Sequence, residues 1–428
     1  MSSSRSDRQP AARTQKSVPD PFGDCEGWSA AGEPVRRVYI TFVVLFGLLT
    51  LAGLLGYRTY PHPANDFFAF NSFSRFIHAY PAPLIYDQDL LRNFQGLPGH
   101  KLFAFMYHPG MLLLLWPLAH LSYNTGYVLW VGVGLVACSI AVAGSRESWP
   151  PALLVVVAPS TLWTMLCGQS SLLVAALIVG GMRLSPRHPL LAGCLIGLAT
   201  YKPQLGILVP VALVAAKQWR TLAAASATAS CIVIASTLAF GASIWPAWLH
   251  HLPSILAVRS EHRMDWASLL VTVTSNLAMA GVGKQATNLV QILAAAGSTF
   301  CVWRCFRVWR PHRRDGSALL EVAVLGAATF LATPFAFNYD LPLFTASVLL
   351  FVEERRRANG MFLLREMLAI VSALLLPCFI LVNWLNGCSS LVVLVVLCTI
   401  LHRVQVLQTG HGRRSVRAAA SPGVVFRV

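Results

Sequence analysis

Long apolar stretches joined by short polar links are the feature that most limits what this chain can fold into. About 11 of them follow one another between residues 38 and 402, and several approach the roughly 20 residues that a helix needs to cross a bilayer. Hydrophobic residues make up 56% of the sequence and charged residues only 12%, against about 25% charged residues in soluble domains. One soluble core could not bury so many runs. The sequence therefore predicts an all-α fold, a polytopic transmembrane helix bundle of about 11 spans, give or take about two.

The basic residues indicate how this predicted bundle is oriented. The formal net charge is +16, and the arginines cluster at the ends of apolar runs, which is the positive-inside pattern of membrane proteins rather than a nucleic-acid-binding stripe. The sequence predicts a disordered basic cytoplasmic tail at 1–35, a membrane domain at 36–405 and a basic cytoplasmic tail at 406–428. We expect an inner or plasma membrane protein with both termini in the cytoplasm, and no nucleic-acid partner.

Two long polar segments, at 58–101 and 241–264, are predicted to lie on the outer side of the membrane. The first is rich in aromatic residues and is expected to carry interfacial helices. Residues 266–282 are only moderately apolar, and two alternatives stay open for them: a span, or a re-entrant or interfacial segment. The apolar run 189–216 is interrupted by the polar residues 201–204.

Cysteines and common cofactor motifs give no sign of a metal or cofactor. Most of the ten cysteines lie inside apolar runs, where cysteine behaves as a small hydrophobic residue. The pair Cys301 and Cys305 is one helical turn apart, but no histidine or acid stands beside it at a metal-ligand spacing. The sequence has no P-loop, GxGxxG or HExxH motif. It predicts no disulfide framework, no metal site and no cofactor.

Asp66 is one of few acids in the chain, and it directly follows the first predicted span within the segment PHPANDFFAFNSFSRF. A carboxylate at this place could deprotonate a hydroxyl group. Alternatively, Asn65 or Asp66 could cap a helix running from about residue 67 to 79, since both residue types favour that position. The two roles are compatible, and both stay open. The five phenylalanines that follow are expected to hold this helix at the membrane surface.

Lys202 lies in the polar interruption of the run 189–216, followed by Pro203. An ionisable side chain at membrane depth is costly and usually faces a cavity or a pathway, and a proline-broken backbone is tolerated there only where protein or water satisfies it. A lysine in such a cavity would suit an anionic ligand such as a phosphate. The alternative is a short turn outside the membrane from which the lysine side chain reaches water.

Four further residues lie at polar breaks and are weaker candidates. Gln169 could bind sugar hydroxyls, since an amide both donates and accepts hydrogen bonds, or could belong to a simple turn. His108, next to Tyr107, could contact a phosphate or only lie at the interface. Asp340 could contribute to the same kind of site or cap the helix that follows it.

Taken in order, these breaks resemble glycosyltransferase family 87, a family of the GT-C superfamily of integral-membrane glycosyltransferases. The resemblance extends over about residues 38–350 and rests on the following residues in this order: Asp66-Phe67, Tyr86-Asp87, Tyr107-x-Pro109, Gly168-Gln169-Ser170, Lys202-Pro203-Gln204, and Thr333-Pro334 with Tyr339-Asp340.

The resemblance implies a GT-C fold and a hexosyltransferase whose donor is a sugar linked to polyprenyl phosphate. The family includes mannosyltransferases of this kind, so mannose is the expected sugar. It implies that Asp66 is the general base of an inverting transfer to an envelope glycolipid or glycan on the outer face, and that Lys202 neutralises the donor phosphate. Tyr107, His108, Gln169 and Asp340 become candidates for phosphate or sugar contacts. Many GT-C enzymes carry two adjacent acids here, whereas Asn65 precedes Asp66. A transporter or flippase of a lipid-linked glycan is the alternative function.

Overall fold

The computed structural model describes residues 44, 47–48, 65–144, 149–261, 266–308, 315–358, 362–381 and 387–419. All of them belong to one compact unit, Val43–Val428. The predicted tail at 1–35 lies outside the described residues, and the first predicted span is described at only three positions. The last helix, Ser389–Ala419, continues past residue 406, where the C-terminal tail is predicted to begin.

The described residues are helical and contain no β-strand, which confirms the predicted all-α class. A single antiparallel bridge joins Leu270 and Phe337. The α-helices are Asp66–Ala79, Gln88–Gln95, Gly110–Leu115, Tyr123–Ala143, Trp149–Val157, Pro159–Cys167, Ser171–Leu184, Pro189–Leu198, Val209–Ala215, Trp219–Phe240, Ile244–Glu261, Val273–Met279, Lys284–Val308, Asp315–Ala332, Pro342–Arg357, Leu364–Leu381 and Ser389–Ala419.

Four helices in the described part of the chain are long and apolar enough to cross a membrane: Tyr123–Ala143, Trp219–Phe240, Lys284–Arg307 and Ser389–Gln408. Several of their apolar side chains face outward, with Leu238 81% exposed and Val128 66% exposed. Apolar surface of this kind is suited to lipid rather than to water. The larger count of about 11 spans remains a prediction, since it came from apolar run length alone.

Several predicted apolar runs are divided into shorter pieces. The run 189–216 ends as a helix at Leu198 and passes through two 3₁₀ turns, Ala199–Tyr201 and Pro203–Leu205, before helix Val209–Ala215 begins. Within residues 266–282, the helix whose bounds the structure describes is the seven-residue helix Val273–Met279. A helix rises about 1.5 Å per residue, so this one is far too short to cross a bilayer about 30 Å thick.

The first polar loop is organised around helix Asp66–Ala79. Phe67, Phe70, Phe73 and Phe76 recur every third residue, and each is at most 1% exposed. The expectation that these rings hold the helix at the membrane surface is therefore wrong for four of the five, because they are buried against other parts of the protein. The second predicted outer loop forms helix Ile244–Glu261, which packs against the first loop at the 3₁₀ turn Ala82–Tyr86.

Candidate functional site

One cavity of about 700 Å³ brings together all six residues singled out in the sequence. They lie between positions 66 and 340, yet every one of them contributes to the cavity wall: Asp66, Tyr107, His108, Gln169, Lys202 and Asp340. The rest of the wall is largely aromatic, and it includes Trp163, Trp248 and Trp266. Polar groups converging on a mostly apolar cavity of this size are typical of a ligand-binding site.

The cap of helix Asp66–Ala79 is Asn65, which leaves the carboxylate of Asp66 for the cavity. The Asn65 Oδ1 atom accepts a hydrogen bond from the backbone N–H of Phe68 at 3.0 Å, and the Asn65 amide donates to the backbone oxygen of Leu166 at 3.3 Å. Asp66 takes the first helical position instead, where the helix dipole favours a negative charge. The sequence left open which of the two residues caps the helix, and the structure decides for Asn65.

Gly168 allows Gln169 to reach Asp66. Its backbone φ is +69°, which is unfavourable for any residue with a Cβ atom. A Cβ placed on Gly168 would also clash with Phe67 Cβ and would lie 3.0 Å from the backbone nitrogen of Phe67. The glycine therefore lets the turn after helix Pro159–Cys167 touch the start of helix Asp66–Ala79. This contact places Gln169 beside the carboxylate.

A continuous chain of polar contacts runs from Asp66 to Asp340. Gln169 Nε2 donates to Asp66 Oδ2 at 2.8 Å, and Lys202 Nζ donates to Gln169 Oε1 at 3.0 Å. Lys202 Nζ also forms an ion pair with Asp340 Oδ1 at 2.9 Å. Because the ammonium group can only donate, it fixes the orientation of the Gln169 amide and directs the NH₂ group to Asp66.

Lys202 is buried and fully paired. Its side chain and that of Asp340 are each 2% exposed, and Lys202 Nζ donates additionally to Ser171 Oγ at 2.8 Å. The ammonium group has three N–H bonds, and the three acceptors are Gln169, Ser171 and Asp340. It also lies 5.1 Å from the ring centroid of Tyr339, a favourable cation–π distance. The alternative of a lysine side chain reaching water does not apply.

Asp340 does not cap the helix that follows it. Helix Pro342–Arg357 has Leu341 at its N-cap and no side-chain cap. Asp340 Oδ2 accepts instead from the backbone N–H of Phe337 at 3.1 Å, and Oδ1 accepts from Ser171 Oγ at 2.6 Å. The carboxylate thus closes its own turn and anchors Lys202.

Tyr107 and His108 form another part of the wall. His108 Nε2 donates to the backbone oxygen of Thr200 at 3.0 Å, and its Nδ1 accepts from the N–H of Gly110 at 3.1 Å. Both ring nitrogens are therefore used, which fixes a neutral imidazole. Burial lowers the pKa of His108 and keeps the ring uncharged. Burial, followed by the nearby charge of Asp66, raises the pKa of Tyr107, so its hydroxyl stays protonated.

Asp66 itself is in an environment that disfavours its charge. Burial raises the pKa of Asp66, and the hydrogen bond from Gln169 and the charge of Lys202 offset only part of that effect. No described residue donates a hydrogen bond to the second carboxylate oxygen, Oδ1. A carboxylate with raised basicity and one available oxygen at a cavity wall can accept a proton from a bound hydroxyl group.

Sequence reasoning missed Ser171 and Tyr339 as parts of this cluster. Both lie within two positions of residues that were singled out, and Tyr339 is itself part of the Tyr339-Asp340 pair on which the family resemblance rests. Their neighbourhood was therefore a usable signal, but a serine at a helix start and a tyrosine in an aromatic turn also have ordinary structural roles.

The fold and the cavity define a class: a helical membrane protein with a buried cluster of two carboxylates, an amide and an ammonium group. The family model described as "Glycosyltransferase family 87" matches residues 105–334, more than half of the chain, and the chain belongs to that family. It is accordingly a membrane glycosyltransferase. The match includes Tyr107, His108, Gln169 and Lys202, and it leaves Asp66 and Asp340 outside. No curated protein and no solved structure matches the chain.

Proposed function

We propose that the protein transfers a hexose, mannose by its family resemblance, from a polyprenyl-phosphate-linked donor to an envelope glycolipid or glycan. The single observation that carries the proposal is the Asp66 carboxylate, held by Gln169 at 2.8 Å on the wall of the 700 Å³ cavity. The transfer takes place on the outer face of the inner or plasma membrane. This location agrees with the positive-inside pattern, by which the arginine-rich ends of apolar runs are expected on the cytoplasmic side.

Asp66 is the general base in this mechanism. Its Oδ1 atom takes the proton of the acceptor hydroxyl while the hydroxyl oxygen attacks the anomeric carbon of the donor sugar. The bond from that carbon to the phosphate oxygen breaks, and its electron pair leaves with the polyprenyl phosphate. Attack from the side opposite to the leaving group inverts the configuration at the anomeric carbon. Gln169 holds Asp66 through Oδ2 and leaves Oδ1 for the hydroxyl.

Lys202 stabilises the negative charge that develops on the departing phosphate. All three of its N–H bonds already have acceptors, so it acts through its charge, which is weakly screened in a cavity wall of low dielectric constant. Tyr107 and Asp340 complete the polar lining near the sugar. We assign His108 no phosphate contact, because both of its ring nitrogens are bound to the backbone.

The test is sugar transfer by the purified protein, with a panel of polyprenyl-phosphate hexoses as donors, for the wild type and Asp66→Asn. Loss of a general base lowers rates by about 10²–10⁴-fold, so we expect a fall in kcat of that order for Asp66→Asn. The matched control is Asp87→Asn, because Asp87 caps helix Gln88–Gln95 and does not line the cavity.

Two results would contradict the proposal in different ways. Full activity in Asp66→Asn would remove Asp66 as the base. Absence of transfer from every lipid-linked donor, together with measurable flipping of a lipid-linked glycan in vesicles, would favour the transporter or flippase instead.

A further inference from the structure

The proposed donor brings a phosphodiester anion into the cavity, and the cavity's cation cannot bind it directly. Lys202 is the one lysine or arginine among the described residues that line the cavity. Its three N–H bonds point to Gln169, Ser171 and Asp340. An anion could take one of these bonds only by displacing a partner that is itself buried. Direct hydrogen bonds to the phosphate must therefore come from other donors.

Two such donors lie in the cavity wall without an acceptor. Trp163 Nε1 and Asn338 Nδ2 are both buried, and no described residue accepts a hydrogen bond from either of them. Both residues line the cavity, and Asn338 is only 2% exposed. Because roughly nine in ten buried polar groups have a partner, two unsatisfied donors at one cavity point to a ligand that supplies the missing acceptors.

The segments that carry the two donors are joined by a hydrogen bond. Thr164, the neighbour of Trp163, donates through Oγ1 to the backbone oxygen of Tyr339 at 2.7 Å. The backbone N–H of Asn338 donates to the backbone oxygen of Leu269 at 2.8 Å. Helix Pro159–Cys167 is thereby tied to the turn Asn338–Asp340 from which Asn338 projects. These bonds fix the backbone from which the Trp163 and Asn338 side chains project.

We propose that Trp163 Nε1 and Asn338 Nδ2 bind the phosphodiester of the lipid-linked donor. This inference rests on the proposed function and deepens it. An indole N–H can only donate, and the unesterified oxygens of a phosphodiester carry no proton, so they only accept. A sugar hydroxyl would bring a proton that needs an acceptor of its own. The two neutral donors form the hydrogen bonds to the anion, and Lys202 stabilises it by its charge without a direct hydrogen bond.

The experiment compares Trp163→Phe and Asn338→Leu with the wild type in two measurements. The first is kcat/KM for the lipid-linked donor at saturating acceptor. The second is inhibition by polyprenyl phosphate, the released product, which has the phosphate but no sugar. We expect a loss of at least about tenfold in donor kcat/KM for each variant, the usual order for one hydrogen bond to a charged group. The inhibition constant rises in parallel, and the KM for the acceptor is unchanged.

Matched controls separate this site from general effects of the substitutions. Asn71 also has a buried Nδ2 atom without an acceptor among the described residues, but it does not line the cavity, so Asn71→Leu should leave the inhibition constant unchanged. The control for Trp163→Phe is Trp219→Phe, which changes an indole that is 55% exposed and should likewise leave the inhibition constant unchanged. If Asn338→Leu does not fold, Asn338→Ser is the second variant, because it also removes the Nδ2 donor but keeps a small polar side chain.

A binding measurement keeps the inference separate from the proposed function. Binding of labelled polyprenyl phosphate to Asp66→Asn protein needs no turnover, and we expect Trp163→Phe and Asn338→Leu to weaken it in that background. If both variants bind polyprenyl phosphate and respond to its inhibition like the wild type, the phosphate site is refuted, even where sugar transfer itself has been demonstrated. Weakened donor use with unchanged polyprenyl phosphate binding would equally refute it, since the two donors would then contact the sugar.

Discussion

The buried pair of Lys202 and Asp340 gives the most quantitative prediction. Their charged atoms are 2.9 Å apart, and both side chains are 2% exposed, so solvent does not screen the interaction. Removing one member of such a pair leaves an unpaired buried charge and costs about 3–5 kcal/mol. We therefore expect Lys202→Met and Asp340→Asn each to lower the free energy of unfolding by about that amount.

The double variant should recover most of this loss. With both charges gone, the remaining cost is that of a few hydrogen bonds, about 1–2 kcal/mol in total. The sum of the two single losses is about 6–10 kcal/mol, so the coupling energy is about 4–9 kcal/mol. Sugar transfer should not recover, because the double variant lacks the charge that stabilises the phosphate and the group that orients Gln169.

The assay is equilibrium unfolding of the four proteins in detergent micelles, followed by far-UV circular dichroism, with sugar transfer measured on the same preparations. If the single variants lose less than about 1 kcal/mol of unfolding free energy, the pair is not desolvated, because an exposed ion pair contributes no more than about that amount. A double variant as unstable as the sum of the singles would also refute it, because the two charges would then be independent.

Two more predictions concern Gly168 and Gln169. Gly168→Ala should lower sugar transfer at least tenfold, because the added Cβ is strained at φ +69° and clashes with Phe67. The control is Gly281→Ala, which has a comparable φ of +76° but no atom near its Cβ and should retain activity. Equal losses in both variants would contradict the argument from packing. For pH dependence, transfer requires ionised Asp66, whose pKa is raised by burial and lowered by the Gln169 hydrogen bond. Activity should therefore fall on acidification at a pH above the usual range of an aspartate, about 3.9. Gln169→Leu should move this fall to still higher pH in a kcat/KM profile, and a shift to lower pH would contradict the assignment.

The breaks in the apolar pattern carried most of the information that the sequence held about the site. A lysine and a proline inside an apolar run are costly unless the fold uses them, and Lys202 does lie in a buried polar cluster. The same reasoning found Gln169 and Asp340, because small polar segments between apolar helices are where ligand-binding groups can project. Local chemistry was sufficient to select these positions.

What local chemistry could not supply was the partner of each group. Asn65 and Asp66 are equally good helix caps, and the choice follows from contacts with Leu166 and Gly168, about a hundred residues away. For Asp340, a site residue and a cap of the following helix were both open, and its pairing with Lys202 across 138 positions decides between them. The phenylalanines of the first loop were placed at the membrane surface, because a sequence does not distinguish an apolar face that meets lipid from one that meets protein.

Gln169 explains how an acid near a lysine can still serve as a base. A carboxylate paired directly with an ammonium group has a lowered pKa and a weak affinity for protons. Here the ammonium of Lys202 pairs with Asp340, and the neutral amide of Gln169 lies between Lys202 and Asp66. The amide transmits orientation, since its carbonyl group faces the lysine and its NH₂ group faces the carboxylate, but it carries no net charge. Asp66 therefore keeps the basicity that burial gives it, while the positive charge stays close enough to stabilise a departing phosphate.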